Sequence, residues 1–347
     1  MYLTDYTIDD LKQLLASWGE PAFRAGQIFG WLSKGTLPDN MSNIPKALRA
    51  KLSEIPFGSV QIYDKRLSAR DGTVKYLFSM EDGNMVEGVL MRYHYGNTLC
   101  LSTQVGCRMG CAFCASTLEG RVRNLSAGEM LGEVAEAEKD EPPREDGGRA
   151  VTNLVLMGSG EPLDNFDEVV RFLKLVTSPD GAGISPRNIS ISTCGIVPRI
   201  YDFMEQAPHV TLSVSLHAHD NETRSRIMPI NNRYPIEDVL KAAAAYSEKT
   251  GRRVVFEYAL IRGVNASQAD AAALASKLKG ILCHVNLIPL NPVPERNLSG
   301  CTRKEAYQFQ NWLEQKHISA TVRREMGTDI EGACGQLRRK TIHDLRK

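Results

Sequence analysis

The sequence predicts an α/β fold: a partial (β/α)6 barrel, preceded by a small N-terminal helical accessory domain and a β-hairpin linker region. Three observations lead there. From residue 98 onward, strand-like and helix-like segments alternate in six successive units, which implies a parallel sheet with right-handed crossovers. Thiol and polar side chains recur at the C-terminal ends of those strands, where barrel sites lie; this favours a barrel over the open sheet that alternation alone permits. The chain has 347 residues, 42% of them hydrophobic, enough for one large core and one or two small ones.

Residues 1–53 read as helical. Thr7 can cap a helix running to Leu15, and further helices are expected over 21–32 and 43–52. Leu11, Leu14, Leu15, Phe23, Ile28, Phe29 and Trp31 would form their core. Residues 54–97 change character. VQIYDKRLS, TVKYLFSM and MVEGVLMRYH are strand-like runs, separated by hairpin turns at 70–72 and 81–84. Residues 98–325 form the barrel, with strands expected near 99–105, 153–157, 188–193, 210–216, 253–260 and 284–289. Helices are expected near 126–138, 166–176, 197–206, 235–249, 267–279 and 302–316. The first of these opens with a capping box, Ser126 and Glu129. A further strand is expected at 318–324. Residues 326–347 form a loop around Cys334 and a basic tail, and 139–150 a polar loop.

Lys and Arg (42) almost balance Asp and Glu (41), so overall charge gives no sign of nucleic acid; any RNA contact would use a local patch. No run of about 18 apolar residues is present, so no membrane span is expected. The N-terminal stretch is acidic and amphipathic, unlike a secretory or transit signal, and a cytoplasmic protein is expected. In that compartment eight cysteines point to metal ligation or redox chemistry rather than a disulfide framework.

The segment VGCRMGCAFCAST holds Cys107, Cys111 and Cys114 in a C-x3-C-x2-C spacing. At this cysteine content such a triplet arises by chance on the order of 0.004 times per chain. Thiolates are the natural ligands of iron–sulfur clusters, and Gly106 and Gly110 allow a tight fold around one. Three ligands leave one iron of a cubane free to bind a substrate. The alternative is a zinc site completed by a fourth ligand such as Cys100. With Phe113 before the last cysteine, the motif resembles the signature of the radical S-adenosylmethionine (SAM) superfamily. The resemblance implies a radical SAM barrel with a 4Fe-4S cluster on Cys107, Cys111 and Cys114, whose open iron binds SAM for reductive cleavage.

Polar groups at four strand ends would converge on one mouth: Gly158 to Pro162, Ser192 and Thr193, Ser213 to His217, and Asn291. Taken singly, Ser192 or Asn291 could serve only to satisfy turn backbone. Together with TLCLSTQVGCRMGCAFCAST, MGSGEPLDN, SLHA, LIPLNPV and GTDIEGACGQL, these residues resemble the RlmN/Cfr family of rRNA adenosine methyltransferases over about residues 85–339. By that likeness Gly160, Glu161, Ser192, Ser215, Leu216, His217 and Asn291 line the SAM site. Gly160-Glu161-Pro162 and the lead-in Arg323 to Gly327 look like the C2-methylating RlmN branch; the alternative is the C8-methylating Cfr branch.

The family chemistry, carried onto this chain, implies methylation of C2 of adenine in 23S rRNA (adenosine 2503) and of adenosine 37 in tRNAs. Cys334 would take a methyl group from one SAM, and a second SAM would generate the radical that activates it. The resulting thiomethylene radical adds to C2. Cys100 then forms a transient disulfide with Cys334 and releases the product. Gly-Ala-Cys-Gly suits an exposed nucleophile loop, whereas Cys194, Cys283 and Cys301 read as buried packing. An external electron donor of flavodoxin or ferredoxin type and a monomeric state are implied. Glu87 is the candidate proton acceptor. In MVEGVLM it shares a strand face with Met85, Val89 and Met91, and it matches the glutamate the family places ahead of its strand-one cysteine; the alternative is an exposed edge-strand charge. Three arginine groups could face phosphates: Arg121 and Arg123; Arg224, Arg226 and Arg233; and Arg323, Arg324, Arg338, Arg339 with Lys340. The N-terminal helical domain resembles the family's RNA-binding accessory domain.

Overall fold

The computed structural model describes residues 1–144, 147–291, 293, 295–330, 337, 338 and 341. Three short helices come first: α1 (Ile8–Ser17), α2 (Arg24–Leu32) and α3 (Lys46–Ser53). Thr7 caps α1 reciprocally: its Oγ1 accepts from the Asp10 N–H, and the Asp10 carboxylate accepts from the Thr7 N–H. Helix α2 starts later than its apolar pattern suggests, because 21–23 form a tight turn closed by the Arg24 N–H to Pro21 O bond. Pro45 delays α3, since the residue before a proline is pushed out of the helical region.

These helices dock on the barrel. The Asp5 carboxylate accepts from the Gly128 N–H (2.7 Å) at the start of α4 (Ala127–Asp140), where helix N–H groups lack partners. Arg171 pairs with Asp10 at 2.7 Å. Leu3, Leu11, Leu15, Ile28 and Phe29 join one continuous core with Met130, Leu131 and Phe172.

Strands β1 (Val60–Leu67), β2 (Val74–Met80) and β3 (Met85–Tyr93) form an antiparallel meander, and β3 pairs antiparallel with β4 (Gly96–Cys100). The meander therefore continues the barrel sheet. The strand expected over 99–105 is two pieces. After Cys100 the chain leaves the sheet, and β5 (Gln104–Gly106) forms a separate ribbon with β6 (Arg121–Asn124). Gly158 closes under this exit, its N–H donating to Leu101 O at 2.8 Å.

From β4 the large sheet runs parallel through β7 (Asn153–Leu156), β8 (Ile189–Thr193), β9 (Thr211–Ser215), β10 (Val254–Leu260), β11 (Cys283–Pro289) and β12 (Ala320–Val322). The strand order follows the chain order with no reversal. Right-handed crossovers then put every connecting helix on one face and leave the other as the barrel interior. The sheet order begins at β1 and ends at β12, so the barrel is partial. The helices are α4, α5 (Phe166–Thr177), α6 (Val197–Gln206), α7 (Asn221–Ile227), α8 (Ile236–Thr250), α9 (Gln268–Leu278) and α10 (Arg303–Glu314). Helix α7 was not expected; it is seven residues long and capped by Asp220, whose Oδ1 accepts from the Thr223 N–H at 2.7 Å.

Candidate active site

The β5–β6 ribbon aims the thiol loop at the C-terminal ends of the parallel strands. Cys107 follows β5, and its N–H donates to Gly120 O at 3.0 Å. Gly106 has φ +75°, and a Cβ there would lie 2.0 Å from Gly120 O, so only glycine lets the two loop arms approach. Thr117 Oγ1 donates toward Cys114 O (2.9 Å) and Cys111 O (3.2 Å), tying the turn that holds the last two thiols. The Ala112 N–H donates to Ile227 O (2.8 Å), which fixes the loop against α7.

Cys107, Cys111 and Cys114 line one cavity of about 290 Å³ with Gly160, Glu161, Ser192, Ser215, His217 and Asn291. Six of the seven residues expected to hold the cofactor thus come together with the thiols. Leu216 does not line it: its side chain is fully buried in the main core behind. Gly160 has φ +111°, and a Cβ would meet Gln104 and Thr103 at 2.7 Å. The Glu161 carboxylate accepts from the Cys194 N–H (2.7 Å) and the Leu163 N–H (3.0 Å). Burial pushes its carboxyl up, against those hydrogen bonds. Ser192 and Ser215 sit side by side on β8 and β9, their Oγ atoms 3.5 Å apart. His217 Nδ1 accepts from the Ala259 N–H (2.9 Å), so the neutral ring carries its proton on Nε2. Burial, helped by the Arg224 charge, brings His217 down to about 3. The Phe113 ring meets it edge-on at 4.8 Å.

The donor set fits an iron–sulfur cluster. Burial pushes the Cys107 thiol up to about 12, and the charges of Glu161 and Cys114 push the same way. Burial and the neighbouring cysteines likewise raise Cys111. Two buried thiols crowded against a half-buried third need a positive centre to be held as thiolates, which iron would supply. Cys100 packs elsewhere, among Val89, Met91 and Met157, and is not among the residues lining this cavity, so a zinc site completed by Cys100 does not fit.

A second group of candidate residues shares one face of β2, β3 and β4. Leu77 faces Glu87, Lys75 faces Val89, and Val89 faces Cys100 across the ladders. By the two-residue period, Lys75, Leu77, Met85, Glu87, Val89, Met91 and Cys100 share that face. Glu87 is therefore a diagonal neighbour of Cys100, at a Cβ separation of roughly 7 Å. It is 5% exposed, so it is not a solvated edge charge. Its Oε1 accepts from the Arg338 N–H (2.7 Å), and its Oε2 lies 3.2 Å from Lys75 Nζ. Met157 links this face to the thiol cavity: it packs beside Cys100 and lines the cavity. Cys334 lies outside the described residues, as do Arg339 and Lys340. The described residues on either side settle on this face, Met326 beside Cys100 and Leu337 against Leu77 and Met85.

Among the arginines the expectation for Arg224 fails. Arg224 is fully buried and cannot meet phosphate. Its guanidinium donates to Cys194 O (2.7 Å), Ser215 O (3.1 Å), Leu216 O (3.1 Å) and Asn231 Oδ1 (3.0 Å). Arg121 pairs with Asp164 (3.0 Å), Arg123 with Asp82 (2.6 Å) and Glu129 (2.7 Å), and buried Arg338 with Glu119 (3.1 Å). Each is tied to a carboxylate of the chain, and Arg121 and Arg123 remain partly exposed. Arg226, Arg233 and Arg324 are exposed, while Arg323 lines the cavity. Cys194 is buried as expected but also lines the cavity; Cys283 and Cys301 are only partly buried, one opening β11 and the other preceding α10. The sequence reading missed Lys75, Glu257 and the role of Arg224. Glu257 lines the cavity and accepts from Asn286 Nδ2 at 2.9 Å. Its position at the centre of a barrel strand was the available signal.

A thiol triplet at the mouth of a partial barrel defines a radical SAM fold, and the radical SAM superfamily model matches residues 101–275. A second family model, described as the ribosomal RNA large subunit methyltransferase N-terminal domain, matches residues 1–57. The chain belongs to the RlmN family: it is 51% identical over 343 residues to the probable dual-specificity RNA methyltransferase RlmN of Clostridium perfringens strain 13, covering 98% of this chain and 97% of that one. It is 49% identical to the protein of the same description from Thermoanaerobacter sp. strain X514, covering 99% of each. A crystal structure of a radical SAM methyltransferase from Sphaerobacter thermophilus matches with a TM-score of 0.90 and 42% identity, over 97% of this chain and 98% of that one.

Proposed function

We propose that this chain methylates C2 of adenine in RNA, in 23S rRNA at adenosine 2503 and in tRNA at adenosine 37, with Cys334 as methyl carrier. One observation carries the reading: a cavity lined by three thiols adjoins, through Met157, a dry face bearing Cys100 and Glu87. Adenine C2 is an electron-poor aromatic carbon that does not displace a methyl group from a sulfonium, so the carbon must arrive as a radical. Bound on Cys107, Cys111 and Cys114, a 4Fe-4S cluster with SAM would supply reductive cleavage of a carbon–sulfur bond and hence a hydrogen-abstracting radical.

The chain's own residues do the rest. Gly160 lets the backbone approach the cofactor, while Ser192, Ser215 and Asn291 offer hydrogen-bonding groups for its polar atoms. His217, neutral with its proton on Nε2, donates without adding charge. Cys334 carries the carbon to C2. It lies four residues before Arg338, whose backbone N–H donates to Glu87. Glu87 takes the C2 proton, and the adduct's unpaired electron would pass to the cluster held by Cys107, Cys111 and Cys114. The Cys100 thiolate then attacks the Cys334 sulfur, the electron pair of the broken sulfur–carbon bond stays on the methylene carbon, and that carbon takes a proton to become the methyl group. An external donor of flavodoxin or ferredoxin type then restores the thiols.

The test is anaerobic reconstitution followed by reaction with unmodified 23S rRNA fragments and with tRNA, using wild type, Cys100→Ala and Cys334→Ala. Wild type should yield 2-methyladenosine by nucleoside mass spectrometry. Cys100→Ala should trap a covalent RNA adduct and Cys334→Ala should form none. An active Cys334→Ala protein ends the carrier role, and 8-methyladenosine as product would move the reaction to the other carbon.

A further inference from the structure

Lys75 is the unassigned group on the face that the reading above makes catalytic. It is fully buried, on β2, on a face it shares with Leu77, Met85, Val89, Met91 and Cys100. An ammonium taken out of water costs several kcal/mol unless a counter-charge meets it. A lysine whose only task was to cover apolar surface would let its head group reach solvent along its flexible stem. Lys75 instead ends inside, with Nζ 3.2 Å from Glu87 Oε2.

The carboxylate is held from both sides. Oε2 faces the ammonium, and Oε1 accepts the Arg338 backbone N–H at 2.7 Å, from the segment that follows Cys334. Behind the strand, Ser102 Oγ donates to the Glu87 backbone oxygen at 2.8 Å and fixes the main chain. Three contacts from three parts of the chain thus set the carboxylate's place and plane. A general base must be aimed at the proton it takes.

We propose that Lys75 is a positioning residue whose ammonium holds the Glu87 carboxylate in place on the face it shares with Cys100, so that Glu87 can take the C2 proton from the adenine adduct. This rests on Glu87 being the base. In that step the C2–H bond breaks, its electron pair stays with the ring, and the proton passes to a carboxylate oxygen. Without the ammonium, the carboxylate loses the contact that fixes Oε2 and can rotate away from the adduct.

The experiment uses the cluster-loaded full chain, kept anaerobic, with an RNA fragment bearing the target adenine. Lys75→Met, Lys75→Arg, Glu87→Gln and the Lys75→Met/Glu87→Gln pair are compared with wild type. Three quantities are read: 2-methyladenosine formed, covalent protein–RNA adduct, and iron content. Lys75→Met should form product about 100-fold more slowly, the lower end of what a general base contributes. It should retain full iron and accumulate the adduct, as Glu87→Gln does, because radical addition precedes proton loss. Lys75→Arg keeps the charge and should stay within about tenfold of wild type. The double variant should match Glu87→Gln alone, since each change removes the same interaction.

A Lys75→Met protein with wild-type product formation beside an inactive Glu87→Gln overturns the role of Lys75. So does joint loss of adduct and product where Glu87→Gln still accumulates adduct. If Lys75→Met does not fold, Lys75→Arg decides: product within tenfold upholds the role, and product lost without adduct overturns it. A Glu87→Gln protein with normal turnover instead removes Glu87 itself, a separate outcome.

Discussion

Replacing Arg224 tests how the thiol cavity keeps its shape. The guanidinium is fully buried, and among the described residues no carboxylate pairs with it. It donates to the carbonyls of Cys194, Ser215 and Leu216, at the ends of β8 and β9, and to Asn231. Arg224→Met keeps the stem and strips the donor from three buried carbonyls. At about 1–3 kcal/mol for each, the loss is about 3–9 kcal/mol. Removing a desolvated, unpaired cation returns several kcal/mol. The net expectation is about 2–4 kcal/mol, roughly a 30- to 1000-fold shift of the unfolding constant. Arg224→Lys keeps the desolvated charge but cannot span four acceptors, so it should be destabilised at least as much. The assay is urea unfolding of the cluster-free protein followed by circular dichroism. SAM binding to both variants should weaken, because Ser215 and His217 lose the strut behind them. A change below 1 kcal/mol in Arg224→Met, or a Lys variant more stable than the Met variant, refutes the reasoning.

Three further outcomes are expected. Gly106→Ala forces a side chain into the left-handed region at φ +75° and onto Gly120 O, so reconstituted protein should hold less than half the wild-type iron and sulfide; full iron content would show that the loop has room. Burial, with the nearby Glu129 charge, pushes the Glu133 carboxyl well above the usual carboxylate range, partly offset by the Ser102 N–H. The folded chain then holds a proton that the unfolded chain releases near pH 4, so stability falls as pH rises through the window above that value. Glu133→Gln should flatten that fall and be the more stable protein at pH 8, read from urea midpoints across pH; parallel curves would contradict it. Burial works against charge on Asp71, yet hydrogen bonds from Gly327, Thr73 and Ser68 outweigh it and bring the carboxyl down to about 2. Its contribution is present above about pH 4 and lost as pH falls toward 2. Asp71→Ala should detach Gly327, whose N–H donates to Asp71 Oδ2 at 2.9 Å, and lower product formation about tenfold at unchanged iron content.

What could be read from the sequence was local or periodic. The boxes at Thr7 and Ser126 are written in four residues each and appear in the structure as such. The barrel strands announced themselves as short β-branched runs at regular spacing. Helix α7 was invisible because seven residues give no reliable period and its inward residue, Arg224, is charged. The same blindness hid Lys75. A lysine in an alternating run reads as solvent-facing, yet β2 is buried on both sides, Tyr76 and Phe78 in the main core and Lys75 and Leu77 on the other face. Glu87 was readable because three apolar neighbours shared its face within one strand. Its partner was not, because that lies on another strand, and pairing across strands is set by register. The ion pairs of Arg121, Arg123 and Arg338 were hidden for a related reason: whether a loop arginine is paired depends on carboxylates distant in sequence, such as Asp82 for Arg123 and Glu119 for Arg338.

The continuity of the sheet from β1 to β12 has a chemical consequence. The proposed reaction needs two different surroundings: for the radical, a site lined by thiols and hydrogen-bonding groups; for the base, a buried face where charge is expensive and therefore paired. Here the parallel strands end at the thiol cavity, while the antiparallel meander bears Glu87 and Lys75. Strand β4 belongs to both, pairing antiparallel with β3 and parallel with β7. Cys100 is the last residue of β4, opposite Val89 on one side and Val155 on the other. The thiol proposed to form the disulfide thus sits where the meander meets the parallel strands, beside Met157, which lines the thiol cavity, and main-chain ladders hold its distance from that cavity. If proton removal and radical generation were instead coupled by a hinge between separate units, changes in the meander would alter both. The shared sheet predicts that Lys75→Met and Glu87→Gln leave SAM cleavage intact and stop the reaction only after the carbon has joined the base.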